Sequence, residues 1–348
     1  MDIAAWTCPV PLRDTPSVVM GHGGGGVMSA ELVSSLFLPA FDLSPDDLGD
    51  SAVVPVGASR VAFSTDSYVV KPMFFPGGSL GDLAVNGTVN DLAMSGATPL
   101  FLSCAFILQE GTPLSVVGRL AQAMGLAASA AGVRLVTGDT KVVDSASGDG
   151  VFVTTAGIGL VPPGVTIGPT LARPGDVVLV SGDVGAHGIA VMSCRDGLSF
   201  DTPVVSDTAP LAGLVAAMLA AGGEGVRVLR DPTRGGVAAS LNEIARASRV
   251  GISLVERDLP VPDGVRDACS LLGLDPLQVA NEGKLVAMVS PSSASRVLAA
   301  MKAHPLGAGA RVVGTCVSTH PGMVVAQTAL GGTRVISLPI GEQLPRIC

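Results

Sequence analysis

Aromatic and charged side chains are scarce in this sequence. Phe, Trp and Tyr make up 3% of the 348 residues, and charged residues make up 14%, whereas about 25% of a typical soluble domain is charged. Since 48% of the residues are hydrophobic, a large core is available, built mainly from Ala, Val, Leu, Ile and Met. The length predicts two domains of ordinary size.

An excess of positive charge is also missing. The net charge of −8 argues against nonspecific binding of nucleic acid, which needs basic patches. Six cysteines are scattered without a CxxC pair. We therefore expect neither a zinc site nor a disulfide framework, and we expect the protein to be cytoplasmic. No basic segment followed by an apolar run opens the chain, and the uncharged stretches 92–109 and 151–172 are interrupted by Gly, Pro, Ser or Thr. We therefore expect neither a signal peptide nor a membrane span.

Glycine, in contrast, is abundant, with 45 residues. Helical and strand-like patterns alternate along the chain, which predicts α/β or α+β layers. The turn at 173–176, followed by the apolar run Val177–Val180, indicates the start of a second domain. Four parts are predicted: a Gly-rich segment with a helix at 1–44, a first domain at 45–168, a second domain at 169–331 and a tail at 332–348.

The Gly-rich segment GHGGGG at 21–26 precedes a predicted helix. Backbone N–H groups of such a loop, together with a helix start, favour phosphate binding. We therefore predict phosphate contacts from His22, Gly23, Gly24 and Gly25, with a flexible linker as the alternative. The segment also fits the GxGxxG pattern of dinucleotide-binding folds. However, the residues that follow contain Pro39 and continue a helical pattern, which disfavours a dehydrogenase.

Acidic residues occur at four places where turns are predicted. Asp66 follows a strand-like run, Asp91 ends the segment VNGTVND, Asp139 follows Thr-Gly, and Asp231 opens DPTRGG. Magnesium prefers a few carboxylates together with water and phosphate oxygens. Carboxylates from different elements can converge on such a site, although each residue alone is also common in turns and helix caps.

Two further positions have the residue types for proton transfer or covalent chemistry. Lys141 in GDTK and Glu282 in NEGK are predicted to lie in loops near Gly. A Lys beside a Glu can tune a base for proton abstraction, and a surface ion pair is the alternative. Cys348, the last residue, can carry a thiol into an active site if its pKa is lowered. The alternative is a terminal cysteine without a role.

Taken together, these segments resemble the HypE family of hydrogenase-maturation carbamoyl dehydratases. That family belongs to the superfamily of aminoimidazole-ribonucleotide synthetase and selenophosphate synthetase. The ending LPRIC is the most specific feature, because related synthetases lack a thiol tail, whereas DPTRGG alone indicates only the superfamily. The resemblance extends from His22 to Cys348 through GHGGGGVMSAEL, STDSYVVKPMFFPGGSLGDLAVNGTVNDLAMSGATPL, GDTKVV, SGDVGAHGIAVM, DPTRGGVAASLNEIA, LGLDPLQVANEGKLVA and LPRIC.

The resemblance implies a two-domain α/β (α+β) fold of the aminoimidazole-ribonucleotide-synthetase type. The first domain should form a β-barrel with a second copy, and ATP with Mg²⁺ should lie in the cleft on that domain. The metal ligands implied by the family are Asp66, Asp91 and Asp231. The implied nucleotide contacts are His22, Gly23, Gly24, Gly25, Asn90, Asp139, Thr140 and Arg234.

The reaction implied by the resemblance is the ATP-dependent dehydration of a carbamoyl group on the Cys348 sulfur to a thiocyanate. Lys141 and Glu282 match the pair that removes protons from the carboxamide nitrogen. A HypF-like carbamoyltransferase would load the thiol, and a HypC–HypD complex would take the cyanide onto the iron of a [NiFe]-hydrogenase. The alternatives are a synthetase of the same superfamily that acts on a free small substrate, and a non-catalytic scaffold that binds nucleotide.

Overall fold

The computed structural model describes residues 18–41, 44, 49–144, 150–195, 204–328 and 330–338. Cys348 and the rest of the tail from 339 onward lie outside the described residues. The first element is a 3₁₀ turn at Met20–Gly23. A continuous helix follows, made of α1 (Val27–Leu32), a π-helical turn (Val33–Phe37) and α2 (Leu38–Phe41). The helix predicted after the glycines is thus confirmed.

The first domain is a five-stranded sheet with two helices on one face. The sheet has the order β1-β2-β7-β5-β6, and all its neighbours are antiparallel except β5 and β6, which are joined through α4. Strands β3 and β4 form a separate short hairpin. The bounds are β1 (Ala52–Val56), β2 (Ser59–Tyr68), β3 (Phe74–Phe75), β4 (Gly78–Ser79), α3 (Leu80–Met94), β5 (Thr98–Gln109), α4 (Leu114–Ala131), β6 (Arg134–Val143) and β7 (Val151–Val161).

Helix α3 is the central element of this domain. It packs against α4, β2 and β7, and 13 of its 15 residues are buried. Ser79 caps its N-terminus, since the Oγ accepts a hydrogen bond from Gly81 N at 3.2 Å. The sequence pattern predicts this helix only from Asn86 onward. That start is wrong, because a helix buried on all sides has no amphipathic period to reveal its first turns.

The other face of the first sheet carries exposed apolar side chains. Phe63, Ile158 and Phe101 are paired side by side on three neighbouring strands, and their exposed fractions are 46%, 42% and 39%. Arg134, which pairs with Phe101, lies over its ring at 6.0 Å. Helices α3 and α4 pack on the opposite face of the sheet, where Leu102 and Val153 join their core.

The second domain is a seven-stranded sheet of order β14-β13-β10-β12-β8-β11-β9 with helices on both faces. Helices α6 and α9 pack on one face and α7 on the other. The bounds are β8 (Val177–Val180), α5 (Ala186–Arg195), α6 (Ala212–Gly222), β9 (Val226–Arg230), α7 (Gly236–Ser248), β10 (Gly251–Val255), α8 (Asp263–Leu272), β11 (Val286–Val289), α9 (Pro291–Ala303), β12 (Arg311–Val317), β13 (Val324–Gln327) and β14 (Thr333–Ile336). Short 3₁₀ turns lie at Gly223–Gly225, Glu256–Asp258, Pro276–Gln278 and Pro305–Gly307.

The two domains meet where α3 contacts α6 and β9. The predicted two-domain α/β (α+β) fold is confirmed. Among the described helices, α4 alone has the length and hydropathy of a membrane span. Four of its 18 residues, Leu120, Met124, Ala127 and Ala128, are buried and pack in the core of the first domain.

Candidate active site

A cavity of about 280 Å³ lies between the two domains. The first domain contributes β2, α3 and the loop before β1, and the second contributes the end of β9, the β9–α7 connection, α7 and the segment before β11. Six carboxyl groups and two guanidinium groups line it, so the cavity is strongly acidic. The lining residues are Gly49, Asp50, Ser64, Thr65, Asp66, Ser67, Tyr68, Gly87, Asp91, Arg230, Asp231, Thr233, Arg234, Ala239, Ser240, Glu243 and Glu282.

The first domain positions its acidic groups through a strand and a helix, not through turns. Asp66 lies inside β2 and Asp91 near the end of α3, so the turns predicted at these two positions are wrong. The side chains of Ser64, Asp66 and Tyr68 alternate along β2 and therefore point to the same face of the sheet. From this face Ser64 donates a hydrogen bond to Asp91 at 2.7 Å, and Tyr68 donates one to Asp66 at 3.0 Å. These bonds orient both carboxylates.

Three carboxylates form a compact cluster with the geometry of a cation site. Asp50, Asp91 and Asp231 each offer an oxygen within 4.8 Å of the other two. Asp231 is buried, and its Oδ2 has no hydrogen-bond partner among the described residues. Oxygen-only donors at this spacing suit Mg²⁺, which binds through a few carboxylates plus water and phosphate. Asp66 lines the same cavity beside the cluster.

Burial and the repulsion between neighbouring carboxylates raise the pKa values of Asp91 and Asp231. Burial raises the pKa of Asp91 well above its ordinary value, and the negative charges of Asp231, Asp66 and Asp50 raise it further. Burial also raises the pKa of Asp231 to about 6, although Arg230 lowers it. Since each acid disfavours ionisation of the others, a bound divalent cation would relieve the repulsion.

Glu282 reaches the same cavity from the second domain. Its backbone N donates to Asp207 Oδ1 at 3.1 Å, and its carbonyl oxygen accepts from Asn90 Nδ2 at 3.3 Å. Burial raises the pKa of Glu282 well above its ordinary value, and the charges of Asp231 and Asp207 raise it further. A carboxylate with a raised pKa is a better general base near neutral pH.

Asn90, predicted to contact the nucleotide, lies outside the cavity lining and ties the two domains together. Its side-chain N–H groups donate to the carbonyl oxygens of Ala209 and Glu282 at 3.1 and 3.3 Å. Its Oδ1 accepts from Leu211 N at 2.7 Å. In this structure the amide therefore fixes the position of Glu282 relative to α3.

The Gly-rich segment lies against Arg234 at the edge of the cavity. Arg234 donates to the Gly23 carbonyl oxygen at 3.2 Å. Gly25 has a φ of 72°, and a Cβ at this residue would lie 2.9 Å from Arg234 Cβ. The loop and DPTRGG are more than 200 residues apart in the sequence, and the fold brings them into contact. The His22 ring, in contrast, accepts a hydrogen bond from Val19 N at 3.0 Å.

Lys141 lies on strand β6 rather than in a loop. Asp66 pairs with Thr155, and Thr155 pairs with Cys104. Lys141 pairs with Ile107, three residues beyond Cys104. Because side chains alternate between the faces of a sheet, Lys141 belongs to the face opposite Asp66 and the cavity. The single chain therefore does not bring Lys141 to Glu282.

Asp139 and Thr140 precede Lys141 on the same strand, so the turn predicted at Asp139 is also wrong. Both residues are exposed, and neither belongs to the described residues that line the cavity.

Three residues of the cavity, Asp50, Tyr68 and Arg230, were not predicted from the sequence. Asp50 precedes β1, a strand that contains Pro55 and that no pattern predicted. Tyr68 is the only tyrosine of the chain. A single polar aromatic residue at the end of a strand could have marked it as a candidate site residue. Arg230 directly precedes the DPTRGG motif, but nothing local reveals its partners.

Comparisons with known proteins agree with this architecture. Residues 48–161 match the family described as "AIR synthase related protein, N-terminal domain", and residues 173–326 match its "C-terminal domain". The carbamoyl dehydratase HypE of Rhizobium leguminosarum bv. viciae is 53% identical over 330 residues, which is 94% of this chain and 94% of the relative.

Solved structures show the same likeness. A HypE structure in complex with ATP has a TM-score of 0.81 and 45% identity, and the match covers 95% of this chain and 100% of that chain. A HypE–HypF complex has a TM-score of 0.84 and 45% identity, with 88% of this chain and 99% of that chain covered. Both domains and nearly the whole length therefore agree, and the chain belongs to the HypE family of carbamoyl dehydratases, built on the fold of the AIR synthase related proteins.

Proposed function

We propose that this enzyme uses ATP to dehydrate a carbamoyl group on the thiol of Cys348 to a thiocyanate for hydrogenase maturation. One observation carries the proposal: the buried Glu282 faces an acid cluster in the cavity between the domains. The proposal assigns ATP binding and dimerisation to 45–168, the remaining wall of the cavity to 169–331 and the reactive thiol to the tail 332–348.

The reaction has to remove an oxygen and two protons from the carboxamide. ATP supplies the means, because a phosphorylated amide oxygen leaves as phosphate, and the products are the thiocyanate, ADP, phosphate and a proton. The solved structure of a HypE with ATP supports ATP as the cosubstrate. Arg234 and the Gly-rich segment form the proposed phosphate-binding edge of the cavity.

Asp50, Asp91 and Asp231, with Asp66 beside them, are the proposed ligands of Mg²⁺. When bound, the ion would neutralise charge during phosphoryl transfer. The chain's own contribution is to hold these carboxylates in place through Ser64 and Tyr68.

Glu282 is the proposed base that takes the proton from the carboxamide nitrogen. Its backbone is held from both domains by Asp207 and Asn90. Its raised pKa matches a base that has to accept and release protons near neutral pH.

We also infer a homodimer formed through the exposed face of the first sheet. The row of Phe63, Ile158 and Phe101 on that face is apolar and exposed in the single chain, and apolar patches of this kind are usually covered by a partner. Lys141 belongs to the same face. The proposed pairing of Lys141 with Glu282 therefore requires a residue from each subunit.

The dimer proposal has a direct test. Lys141→Ala and Glu282→Gln proteins, each inactive alone, are unfolded together, refolded and assayed for dehydration. If each cavity takes its Lys and its Glu from different subunits, mixed dimers regain one intact cavity and part of the activity. A mixture that stays inactive, with mixed dimers verified by mass spectrometry, would contradict the pairing between subunits.

The proposed partners follow from the same likeness. The solved HypE–HypF complex supports a HypF-like carbamoyltransferase as the donor of the carbamoyl group. A HypC–HypD complex is the proposed acceptor that carries the cyanide on iron, and the proposed location is the cytoplasm.

Intact-protein mass spectrometry tests the function as a whole. The protein is incubated with a carbamoyltransferase partner and carbamoyl phosphate, and the C-terminal peptide is mapped before and after addition of Mg²⁺ and ATP. We expect a carbamoyl group on Cys348 that loses the mass of one water after ATP is added. An unmodified Cys348 with a competent partner would reject the carrier role.

A further inference from the structure

Arg230 joins the two domains directly at the acid cluster. It ends strand β9 of the second domain. One of its terminal nitrogens contacts Asp50 Oδ1 at 2.6 Å, and the other contacts Glu243 Oε2 at 2.5 Å. Asp50 belongs to the loop before β1 of the first domain, whereas Glu243 lies on α7 of the second. The guanidinium therefore holds two carboxylates from different domains at once.

Asp50 depends on this contact for its place in the cluster. The Asp50 side chain makes no other hydrogen bond or ion pair with the described residues. Asp91, in comparison, accepts a hydrogen bond from Ser64. Asp50 is largely buried, with 10% of its side chain exposed. Two other cluster acids lie within 4.8 Å of it, and their charges repel it. Without a counter-ion, Asp50 would turn away from the cluster toward solvent.

We propose that Arg230 is a positioning residue for the divalent-cation site, which holds Asp50 in place beside Asp91 and Asp231. This inference rests on the cation site in the proposed function. The unpartnered and buried Oδ2 of Asp231 indicates independently that a ligand belongs at this position. Because Asp50 comes from the first domain and Arg230 from the second, the cation site is complete only when the two domains are docked together.

The geometry requires Arg rather than Lys at this position. A guanidinium is planar and presents its donors as a fork, so it binds two carboxylates in fixed directions. A lysine ammonium has the same charge but is a single point on a flexible stem. Arg230→Lys therefore removes the positioning while it keeps the net charge of the cavity unchanged.

The same strand offers a matched control. Arg227 also lies on β9 and contacts Asp176 at 2.6 Å, with 22% of its side chain exposed compared with 23% for Arg230. Neither Arg227 nor Asp176 belongs to the described residues that line the cavity. Arg227→Lys disturbs a similar ion pair away from the cation site.

The experiment measures Mn²⁺ binding to the full-length protein by electron paramagnetic resonance of the free ion, without ATP. We expect Arg230→Lys to weaken Mn²⁺ binding by roughly tenfold, since partners of metal ligands typically contribute at least that factor. Arg227→Lys should bind Mn²⁺ like the wild type. An unchanged affinity in Arg230→Lys, or an equal loss in Arg227→Lys, would overturn the proposal.

A double variant shows whether Arg230 acts through Asp50. Asp50→Asn should itself weaken Mn²⁺ binding, and adding Arg230→Lys to it should then have little further effect. Independent, additive losses would refute the positioning role. If the wild type bound no Mn²⁺ either without or with ATP, the cation site of the proposed function would be wrong, and this result is distinct from a failure of Arg230 alone; if it bound Mn²⁺ only with ATP, the same variants are compared with ATP present.

Discussion

Gly87 is the position where a single added methyl group should damage the active site. It lies in α3 and lines the cavity beside Tyr68. A Cβ at Gly87 would lie 2.2 Å from Tyr68 Oη and 3.0 Å from its Cζ. Tyr68 is 5% exposed and packs in the core of the first domain, so its ring has little room to retreat. The methyl group would displace the hydroxyl that donates to Asp66.

The expected size of the effect follows from three contributions. Forcing an extra carbon into a packed core costs about 1–3 kcal/mol. Breaking a hydrogen bond to a charged acceptor costs about 1.5–3 kcal/mol. The better helix propensity of Ala returns about 1 kcal/mol. The free energy of unfolding of Gly87→Ala should therefore fall by about 1.5–5 kcal/mol.

Urea-induced unfolding of Gly87→Ala and of Gly118→Ala measures this difference. Gly118 is an exposed interior residue of α4, and nothing lies within 4 Å of a Cβ placed there. Gly118→Ala should leave stability unchanged or raise it by up to about 1 kcal/mol. If Gly87→Ala were as stable as Gly118→Ala, with the same affinity for Mg²⁺ and ATP as the wild type, the tight contact with Tyr68 would be refuted.

Three further predictions concern the chemistry. Glu282→Gln should keep carbamoylation of the tail but slow dehydration by roughly a hundredfold or more. A base has to be ionised, and burial raises the pKa of Glu282. The dehydration rate of the wild type should therefore fall as the pH drops through that raised pKa. Asp91→Asn should weaken binding of Mg²⁺ and ATP in calorimetry, yet leave the unliganded protein at least as stable to urea, since it removes a repelling charge. Cys348→Ala should abolish thiocyanate formation and keep ATP binding, whereas Cys194→Ala, at an exposed cysteine of α5, should keep both.

Each of these predictions has a contradicting result. Normal thiocyanate yield from Glu282→Gln would remove that residue from the role of the base. Unchanged affinity in Asp91→Asn would exclude Asp91 as a ligand. Thiocyanate made by Cys348→Ala would favour a synthetase that acts on a free substrate.

The elements with a clear pattern were predictable from the sequence. The bounds of α4 and β8 agree with the predicted ones, because α4 is amphipathic and β8 is a short apolar run after a turn. α3 was predicted only in its second half because its burial leaves no polar face. Strand β1 was missed because Pro55 interrupts it and its residues are all exposed.

Residues of the candidate site that belong to a recognisable motif were predictable from the sequence. Residues that reach the site only through a contact between the domains were not. Asp91 and Asp231 lie in recognisable segments, and the structure brings them together with Asp50. Asp50 and Arg230 are 180 positions apart. Their ion pair exists only because the loop before β1 meets the end of β9. No local pattern contains such a contact.

Lys141 shows why similar motifs do not guarantee contact within one chain. GDTK and NEGK are both short polar segments near Gly, and pairing them requires the two side chains to share a cavity. The register of the sheet places them on opposite faces: Lys141 pairs with Ile107 on one face, and Asp66 and Thr155 lie on the other. Moving Lys141 to the cavity of its own chain would need a shift of β6 by one residue, which would reverse every side chain of that strand. A contribution from a second subunit requires no such change, so the proposed pairing of Lys141 with Glu282 can be met only by a catalytic unit made of two copies.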